Sequence, residues 1–154
     1  MKIDIPGRQT LEFQHIAIDY NGTIAVDGCL LPGVRERLEE LAKQMHVMVL
    51  TADTFGTARA QCEDIGVSVE TFPTGQAALD KKRIVEACKG GVVAIGNGYN
   101  DCLMMQSADF GIAILESEGM FCGLLNCADV LVRSPNDAFD LLLHPNRLKA
   151  TLRA

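Results

Sequence analysis

Six short apolar runs alternate with segments of helical periodicity, and this alternation limits the fold more than any other feature. The runs are rich in β-branched residues and lie at 15–19, 46–52, 67–72, 92–96, 110–115 and 128–133. The helical segments lie at 34–45, 55–66, 75–90, 100–108 and 134–144. Strands that are apolar on both faces and alternate with helices form a parallel sheet covered on both sides. The sequence therefore predicts an α/β fold of three layers around a doubly wound, mostly parallel sheet.

Size and charge exclude several classes of protein. A chain of 154 residues is expected to form a single domain over 1–154. The net charge is −6 and the 14 basic residues are scattered, which argues against a nucleic-acid partner. The N-terminal stretch MKIDIPGRQTLEF has no apolar signal region, and no run is long enough to span a bilayer. We therefore expect a cytoplasmic protein with no membrane partner.

The cysteines fit this interpretation. They show neither a CxxC pair nor a zinc-like spacing to histidine, and most lie within apolar periodic segments. We expect them to be buried, reduced thiols.

Two further segments lie outside the alternation. Residues 1–16 hold two extended pieces separated by Pro6 and Gly7, which predicts a hairpin ahead of the first central strand. Residues 118–127 follow the end of the fifth strand and could therefore edge the site or a subunit contact, while their apolar character favours burial.

Polar residues end three of the predicted strands. Asp19 ends the first central strand, Thr51 ends the second, and Asn97 follows the fourth. Ligands of parallel sheets bind outside the carboxyl ends of the strands, where these three side chains converge. The sequence therefore predicts a site at this edge of the sheet.

The residues around these strand ends suit a phosphate and a metal ion. Gly22 allows a tight turn with exposed NH groups, and the hydroxyl of Thr51 could donate to a phosphoryl oxygen. Lys81 could neutralise charge, and Asn97 and Asp101 would lie within reach of a metal on Asp19. The predicted phosphate-binding residues are Gly22, Thr23, Thr51, Ala52, Lys81 and Asn100.

Each of these residues alone has a structural explanation. A strand-end Asp is usually a turn former, Thr51 could cap the next helix, and a Lys-Lys pair is usually solvated surface. Their occurrence together, in order, favours a functional site.

Four stretches in this order resemble a known family. They are DYNGT (19–23), VLTADT (49–54), DKKRIV (80–85) and GNGYND (96–101), the last followed by ADFGIAI (108–114). They are similar to the motifs of the haloacid dehalogenase (HAD) superfamily of enzymes that form an aspartyl phosphate. Residues 80–114 also resemble the phosphorylation domain of P-type ATPases, and so the soluble P-type-ATPase-like phosphatases. The resemblance covers about residues 13–133.

The resemblance implies a HAD-like hydrolase. Asp19 would be the nucleophile that attacks phosphorus, Thr51 and Lys81 would hold the phosphoryl group, and Mg²⁺ would bridge Asp19 and the phosphate. The other metal contacts would come from the backbone carbonyl of Asn21 and from Asn97 and Asp101. Lys81 is preferred over Lys82 because Asp80 and Lys81 match the family's Asp-Lys pair.

The spacing between motifs leaves no room for a cap domain at either position where this superfamily inserts one. Capless members tend to act on large substrates or to close the site with a neighbouring subunit. The resemblance thus implies an open site and allows a homo-oligomer.

Asn21 departs from the pattern of the superfamily's phosphatases, which have Asp here. That Asp protonates the leaving oxygen and then activates water, whereas an amide has no titratable proton. Loss of a general acid costs about 10² to 10⁴ in rate, mainly for poor leaving groups. The expected substrates are therefore small-molecule phosphates with activated leaving groups, such as acyl phosphates, aryl phosphate esters or a nucleoside diphosphate.

Asn97 is the second departure, since it replaces the family's first metal-binding Asp of the fourth motif. An amide oxygen can coordinate Mg²⁺ without supplying negative charge, so a lowered affinity is expected. Asp101 then remains as the carboxylate of this motif.

Two functions stay open. One is a Mg²⁺-dependent phosphohydrolase that favours activated phosphates, and the other is a catalytically weak phosphate-binding or regulatory protein. A receiver domain is disfavoured because its acceptor Asp follows a middle strand, whereas Asp19 follows the first central strand.

Asn21 and Asn97 each precede a glycine, the pairing most prone to deamidation. An aged sample could therefore regain Asp at either position.

Overall fold

The computed structural model describes residues 1–53, 56–73 and 75–154. In chain order its strands are β1 (Lys2–Ile3), β2 (Leu11–Glu12), β3 (His15–Asp19), β4 (Ala25–Val26), β5 (Cys29–Leu30), β6 (His46–Thr51), β7 (Ser68–Thr71), β8 (Val92–Gly96), β9 (Phe110–Ile114) and β10 (Val130–Val132). Its α-helices are α1 (Val34–Ala42), α2 (Ala58–Gln61), α3 (Ala77–Ala87), α4 (Cys102–Ser107), α5 (Pro135–Leu143) and α6 (Pro145–Leu152). Short 3₁₀ helices lie at Tyr99–Asp101 and Cys122–Asn126.

The six longer strands form one parallel sheet in the order β10-β9-β8-β3-β6-β7. Counted along the chain, this is the doubly wound order 3-2-1-4-5-6, whose direction reverses between β3 and β8. The crevice at such a reversal is where ligands bind. The predicted sheet is confirmed, and the site predicted at Asp19 and Asn97 lies at the reversal point.

Apolar layers cover both faces of the sheet because its strands alternate sides residue by residue. In β3, Ile16 and Ile18 pack in the core beneath α1 and α5, whereas Ala17 packs in the core beneath α3 and α4. Burial on both faces explains why the central strands read as continuous apolar runs.

The smaller elements complete the layers. β1 and β2 pair antiparallel, which confirms the predicted N-terminal hairpin. β4 and β5 form a second antiparallel pair that the sequence did not indicate. α5 starts where the hydroxyl of Ser134 accepts from the backbone NH of Asp137 with Pro135 at the first turn, a typical helix start.

α2 is shorter than predicted. The prediction covered 55–66, of which residue 55 lies outside the described residues, and the helix spans Ala58–Gln61. Among the described residues, no helix is both long and apolar enough to cross a membrane.

The prediction that the cysteines are mostly buried is wrong. All six are free thiols, but Cys62 alone is buried, and burial raises its pKa to about 11. Cys29 lies in the small β4–β5 pair, away from the central sheet, and is exposed, as is Cys122. The three others, Cys88, Cys102 and Cys127, are half-buried and pack against the core that lies beneath α3 and α4.

Candidate active site

Asp19 is the last residue of β3 and lies at the carboxyl edge of the sheet. β6 and β8 pair with its strand on both sides, so the backbone that presents the carboxylate is fixed. The residue is 7% exposed, and its exposed part faces a pocket. A single carboxylate is thus presented at the reversal point of the sheet.

The chain turns back directly after Asp19. The carbonyl oxygen of Tyr20 accepts hydrogen bonds from the backbone NH groups of residues 23–25 at 2.9–3.3 Å. Gly22 has φ +77°, and a Cβ there would lie 2.4 Å from the side-chain nitrogen of Asn97. Only glycine allows both this backbone conformation and this approach.

The hydrogen bonds of this turn correct one prediction. The backbone NH of Gly22 donates to the carbonyl of Ala25 at 2.8 Å, and that of Thr23 donates to Tyr20 at 3.3 Å. Neither NH group is free to hold a phosphate. Gly22 and Thr23 shape the site instead of forming the expected phosphate cradle from their NH groups.

Lys81 projects from α3 and is wholly buried beneath the site. Its ammonium group donates to the carboxylate of Asp19 and, at 2.7 Å, to that of Asp101. Burial by itself would lower the pKa of Lys81, but Asp101 and Asp19 outweigh it and raise that pKa, so the ammonium stays charged. The three groups form a buried cluster with one positive and two negative charges.

The carboxyl group of Asp19 is less acidic than usual. Burial raises its pKa to about 6, and the negative charge of Asp101 acts in the same direction. The Lys81 ammonium and the hydrogen bond from Thr23 oppose this rise without cancelling it. Asp19 is therefore ionised at neutral pH and takes up a proton under mild acid.

Thr51 ends β6 and is 2% exposed. Its hydroxyl oxygen accepts the backbone NH of Asp53 at 2.9 Å, and among the described residues no acceptor takes the hydroxyl proton, which can then donate into the pocket. The carboxylate of Asp53 accepts the NH groups of Thr57 and Ala58 at the start of α2. Asp53, which the sequence analysis did not single out, thus orients Thr51, and its place two residues after a strand end was the signal.

Asn97 lies opposite Asp19. Its side-chain nitrogen donates to the carbonyl of Gly119 at 2.9 Å, so its amide oxygen faces the hydroxyl of Thr23 at 3.1 Å. The same hydroxyl lies 3.1 Å from the carboxylate of Asp19. Thr23 therefore bridges the predicted nucleophile and the fourth motif.

Asp101 is fully buried, and both of its carboxylate oxygens are engaged. One accepts from Lys81, and the other accepts the backbone NH groups of Asn97 and Gly98 at 3.1 and 2.9 Å. This arrangement suits a counter-ion that positions Lys81 better than the predicted metal ligand.

The segment after β9 lies at the edge of the site, one of the two positions expected for it, through contacts with Asn97 that the sequence did not specify. Gly119 accepts from Asn97, and the backbone NH of Phe121 donates to the carbonyl of Asn97 at 2.8 Å. The burial expected for 118–127 is wrong for most of the segment, since Phe121 is 42% exposed and Leu125 is 51% exposed. The position of the segment at the carboxyl end of β9 was the available signal.

A pocket of about 250 Å³ opens at this edge. Most of the residues predicted for the site line it, while Thr23, Lys81 and Asp101 lie beneath it as partners of Asp19. The lining residues are Asp19, Asn21, Thr51, Ala52, Asn97, Gly98 and Asn100.

The donor atoms of the pocket fit Mg²⁺, which prefers oxygen ligands. The carboxylate of Asp19 and the amide oxygen of Asn97 face the same hydroxyl, and the side-chain oxygen of Asn21 is buried with no hydrogen-bond partner among the residues that the structure describes. Within residues 1–53, 56–73 and 75–154, no group of three or more His, Cys, Asp or Glu side chains could hold a metal ion. A cation here would depend on amide and carbonyl oxygens beside one carboxylate.

The fold disfavours deamidation of the two asparagines that precede glycine. The reaction needs the NH nitrogen of the following residue to attack the side-chain amide carbon. In the pair at 21–22 this NH donates to Ala25 at 2.8 Å, and in the pair at 97–98 it donates to the carboxylate of Asp101 at 2.9 Å. Both nitrogens are therefore held away from that attack in the folded protein.

Sequence relatives include one short protein and several long ones, and no family model matches the chain. The uncharacterized protein MJ0073 of Methanocaldococcus jannaschii is 42% identical over 92 residues, which cover 56% of this chain and 99% of MJ0073. The copper-exporting P-type ATPase of Staphylococcus aureus is 30% identical over 151 residues, which cover 90% of this chain. The match spans only 17% of the ATPase, so its transport activity does not carry over.

The fold has solved counterparts. The 3-deoxy-D-manno-octulosonate 8-phosphate phosphatase of Moraxella catarrhalis, in complex with magnesium, phosphate and KDO, superposes with a TM-score of 0.67 at 16% identity. The superposition covers 92% of this chain and 94% of that enzyme. At this identity the likeness establishes a shared fold and leaves the chemistry to the residues of the site.

Proposed function

The chain belongs to the family of MJ0073 and is a HAD-like domain, and from this premise we propose that it is a Mg²⁺-dependent phosphohydrolase acting through an aspartyl phosphate on Asp19. The observation that carries the proposal is the placement of Asp19. Its carboxylate lies at the reversal point of the sheet, bonded by Lys81 and Thr23, at the mouth of a pocket that Thr51 also lines.

In the proposed first step, a carboxylate oxygen of Asp19 attacks phosphorus. The new O–P bond forms as the bond from phosphorus to the leaving-group oxygen breaks, and that oxygen departs with the electron pair. Thr51 donates its hydroxyl proton to a phosphoryl oxygen, and the charged Lys81 offsets the negative charge that Asp19 and the phosphoryl group bring together.

In the second step, water attacks the phosphorus of the aspartyl phosphate. The Asp19 O–P bond breaks, inorganic phosphate leaves, and the carboxylate is restored. Asn21 lines the pocket but has no titratable group that could take the proton of this water. We therefore expect dephosphorylation to be slow relative to phosphorylation.

Asp19, the amide oxygen of Asn97 and an oxygen of Asn21 would hold the Mg²⁺ ion. When bound, the ion neutralises charge on the phosphoryl group and orients it toward the nucleophile. Asp101 acts through Lys81, since its oxygens are already bonded.

A second candidate function is favoured by Asn21. Without a base beside the aspartyl phosphate, phospho-Asp19 could persist, and the protein would then act as a phosphate-binding or regulatory domain. Both functions use Asp19, Thr51 and Lys81, so only the fate of the phosphoryl group separates them. We further infer a small-molecule phosphate substrate and a cytoplasmic site of action, in one domain over 1–154.

The test incubates fresh protein with Mg²⁺ and acetyl phosphate or p-nitrophenyl phosphate, and follows phosphate release together with intact mass. Steady release that Asp19→Asn abolishes supports the hydrolase. A stable phosphate adduct without release supports the regulatory function.

The Asn21→Asp variant is the matched gain-of-function test. A higher turnover would identify the missing acid and base as the limiting feature, and the gain should be largest for poor leaving groups. Neither release nor adduct at high Mg²⁺, even with Asn21→Asp, would refute the hydrolase for these substrates and leave a phosphate-binding or structural role as the better account.

A further inference from the structure

We propose that the site selects phosphates whose leaving group is an aromatic ring, and that this ring stacks on Tyr99 and Phe121 in a cleft beside the phosphate pocket. The inference rests on the proposed function and names its substrate class, an aryl phosphate ester.

Tyr99 and Phe121 form an exposed aromatic pair. Their ring centroids are 5.2 Å apart at an interplanar angle of 84°, an edge-to-face arrangement. Tyr99 is nevertheless 74% exposed and Phe121 is 42% exposed, so much of their ring surface has no partner within the described residues. An aromatic ligand would find a stacking surface that is already ordered by the pair.

The backbone ties both rings to the phosphate pocket. Gly98 and Asn100, the chain neighbours of Tyr99, line that pocket. The backbone NH of Phe121 donates to the carbonyl of Asn97, another lining residue, at 2.8 Å. The backbone that carries both rings is therefore joined directly to the lining of the phosphate pocket, and for this reason we place the leaving group of a phosphate held at Asp19 beside the rings.

A cleft of about 450 Å³ adjoins the pair, and Tyr99 lines it. Leu103 and Cys102 from α4 contribute apolar surface, and Gln106 adds a polar group at the border. The ring of Phe121 packs against Gly123 of the cleft wall, where a Cβ would lie 2.4 Å from a ring carbon. The volume is within the range of small-ligand sites, so a ring would fit.

The chemistry of Asn21 selects the same class of substrate independently. A phenolate has a conjugate-acid pKa of about 10, as in the tyrosine side chain, so it departs without a proton more readily than an alkoxide. A site without a general acid therefore works best on phenol esters among phosphate esters. The exposed rings of Tyr99 and Phe121 and the absence of a general acid at Asn21 thus both favour an aryl leaving group.

The test compares phenyl phosphate with acetyl phosphate, which has no ring. Tyr99→Ala and Phe121→Ala should each lower kcat/KM for phenyl phosphate roughly threefold to tenfold, mainly through KM, as expected for loss of one aromatic contact. Acetyl phosphate should be unaffected, and Tyr99→Phe should retain the preference. Leu131→Ala, which removes an exposed apolar side chain from β10, serves as control. Equal losses for both substrates, or none, would overturn the proposal.

A binding measurement separates this inference from the proposed function. The wild-type protein should bind phenylphosphonate more tightly than methylphosphonate by calorimetry, and Tyr99→Ala should abolish the difference. If the protein binds phenylphosphonate more tightly than methylphosphonate but turns over no substrate, the proposed hydrolase function is refuted and the aromatic binding site is supported. Turnover without a ring preference, or a Tyr99→Ala variant that changes only self-association by light scattering, would refute the cleft.

Discussion

The side-chain nitrogen of Asn97 donates to the carbonyl oxygen of Gly119 at 2.9 Å, and this contact decides which end of the amide faces Asp19, the proposed nucleophile. With the nitrogen so engaged, the amide oxygen faces Thr23 and, through it, Asp19. A carboxylate at position 97 would bring two oxygens together at Gly119. Asn97 thus links the fourth motif to the loop after β9 by a hydrogen bond. An aspartate at this position would supply a negative charge for a cation, and asparagine does not.

The Asn97→Asp variant should be less stable than wild type without metal and should bind Mg²⁺ more tightly. In metal-free protein we expect a loss of about 1–3 kcal/mol in the free energy of unfolding, because the carbonyl of Gly119 loses its donor and meets a charge. Mg²⁺ should bind more tightly than to wild type because a second carboxylate is present. Urea unfolding with EDTA and with Mg²⁺ measures both effects.

Asn100→Asp is the control, since Asn100 lines the same pocket. It adds the same charge without breaking the contact to Gly119. Equal destabilisation of the two variants would show that the charge matters and the contact does not.

Removing the charge of Lys81 should be costly. In Lys81→Met, Asp19 and Asp101 would remain buried without their cation, so we expect a loss of about 3–5 kcal/mol at pH 7. Chemical unfolding at equilibrium measures this loss, and mild acid should recover part of it by protonating a carboxylate.

Lys82→Met supplies a neighbouring comparison on the same helix. The side chain of Lys82 is 39% exposed and lies 3.5 Å from Glu86, so its loss should change stability by less than about 0.5 kcal/mol. A similar effect of both variants would contradict the assignment of Lys81 as the buried counter-ion.

The sheet could be predicted from sequence because its signals are local. The limits of β3 and β8 agree with the apolar runs that predicted them, since each run ends in a polar residue or in glycine at the sheet edge. The β4–β5 pair was missed because two-residue strands carry no periodicity. The exposed cysteines were misjudged for a related reason, since an apolar segment does not reveal which of its faces is covered.

The residues of the site could be listed from their motifs, but their mutual contacts could not. Nothing in the sequence indicates that Asp101 holds Lys81, or that the NH groups at 22 and 23 are used within the turn. Such roles follow from long-range packing, which brings Lys81 to Asp19 across 62 positions of the chain.

Gly22→Ala tests the close approach between the turn and the fourth motif. Gly22 has φ +77°, and a Cβ would lie 2.4 Å from the side-chain nitrogen of Asn97. We expect a larger loss of stability than the approximately 1–2 kcal/mol of a left-handed backbone penalty, together with loss of phosphorylation at Asp19.

Gly56→Ala isolates the backbone penalty. Gly56 has φ +68°, and a Cβ there would meet no atom of the described residues within 4 Å. If thermal unfolding shows equal losses for both variants, the contact with Asn97 contributes nothing.

The raised pKa of Asp19 should appear in the pH dependence of phosphorylation. The proposed nucleophile must be ionised, so the second-order rate of adduct formation at low concentrations of Mg²⁺ and phosphate donor, which reports the free protein, should fall as the pH drops through about 6. Quenched-flow mass measurement from pH 5 to 8 would show this. A midpoint near 4, the ordinary range of an aspartate, would contradict a buried and charge-coupled Asp19.

The raised pKa of Asp19 should also make folding stability depend on pH, and stability should fall over the pH range in which phosphorylation rises. Burial raises the pKa of Asp19 from 3.8 to about 6, so between these values the folded state binds more protons than the unfolded state. The free energy of unfolding therefore falls as the pH rises from about 4 to about 6. At 1.36 kcal/mol per pKa unit, the fall due to Asp19 is at most about 3 kcal/mol.

Asp140 has the opposite effect on stability, because its hydrogen bond with Arg37 lowers its pKa. This effect is present in both wild type and Asp19→Asn. The difference between the urea stabilities of these two proteins thus isolates Asp19, and it should shift in favour of Asp19→Asn from pH 4 to pH 7. Parallel stability curves would mean that Asp19 titrates alike in the folded and unfolded chains.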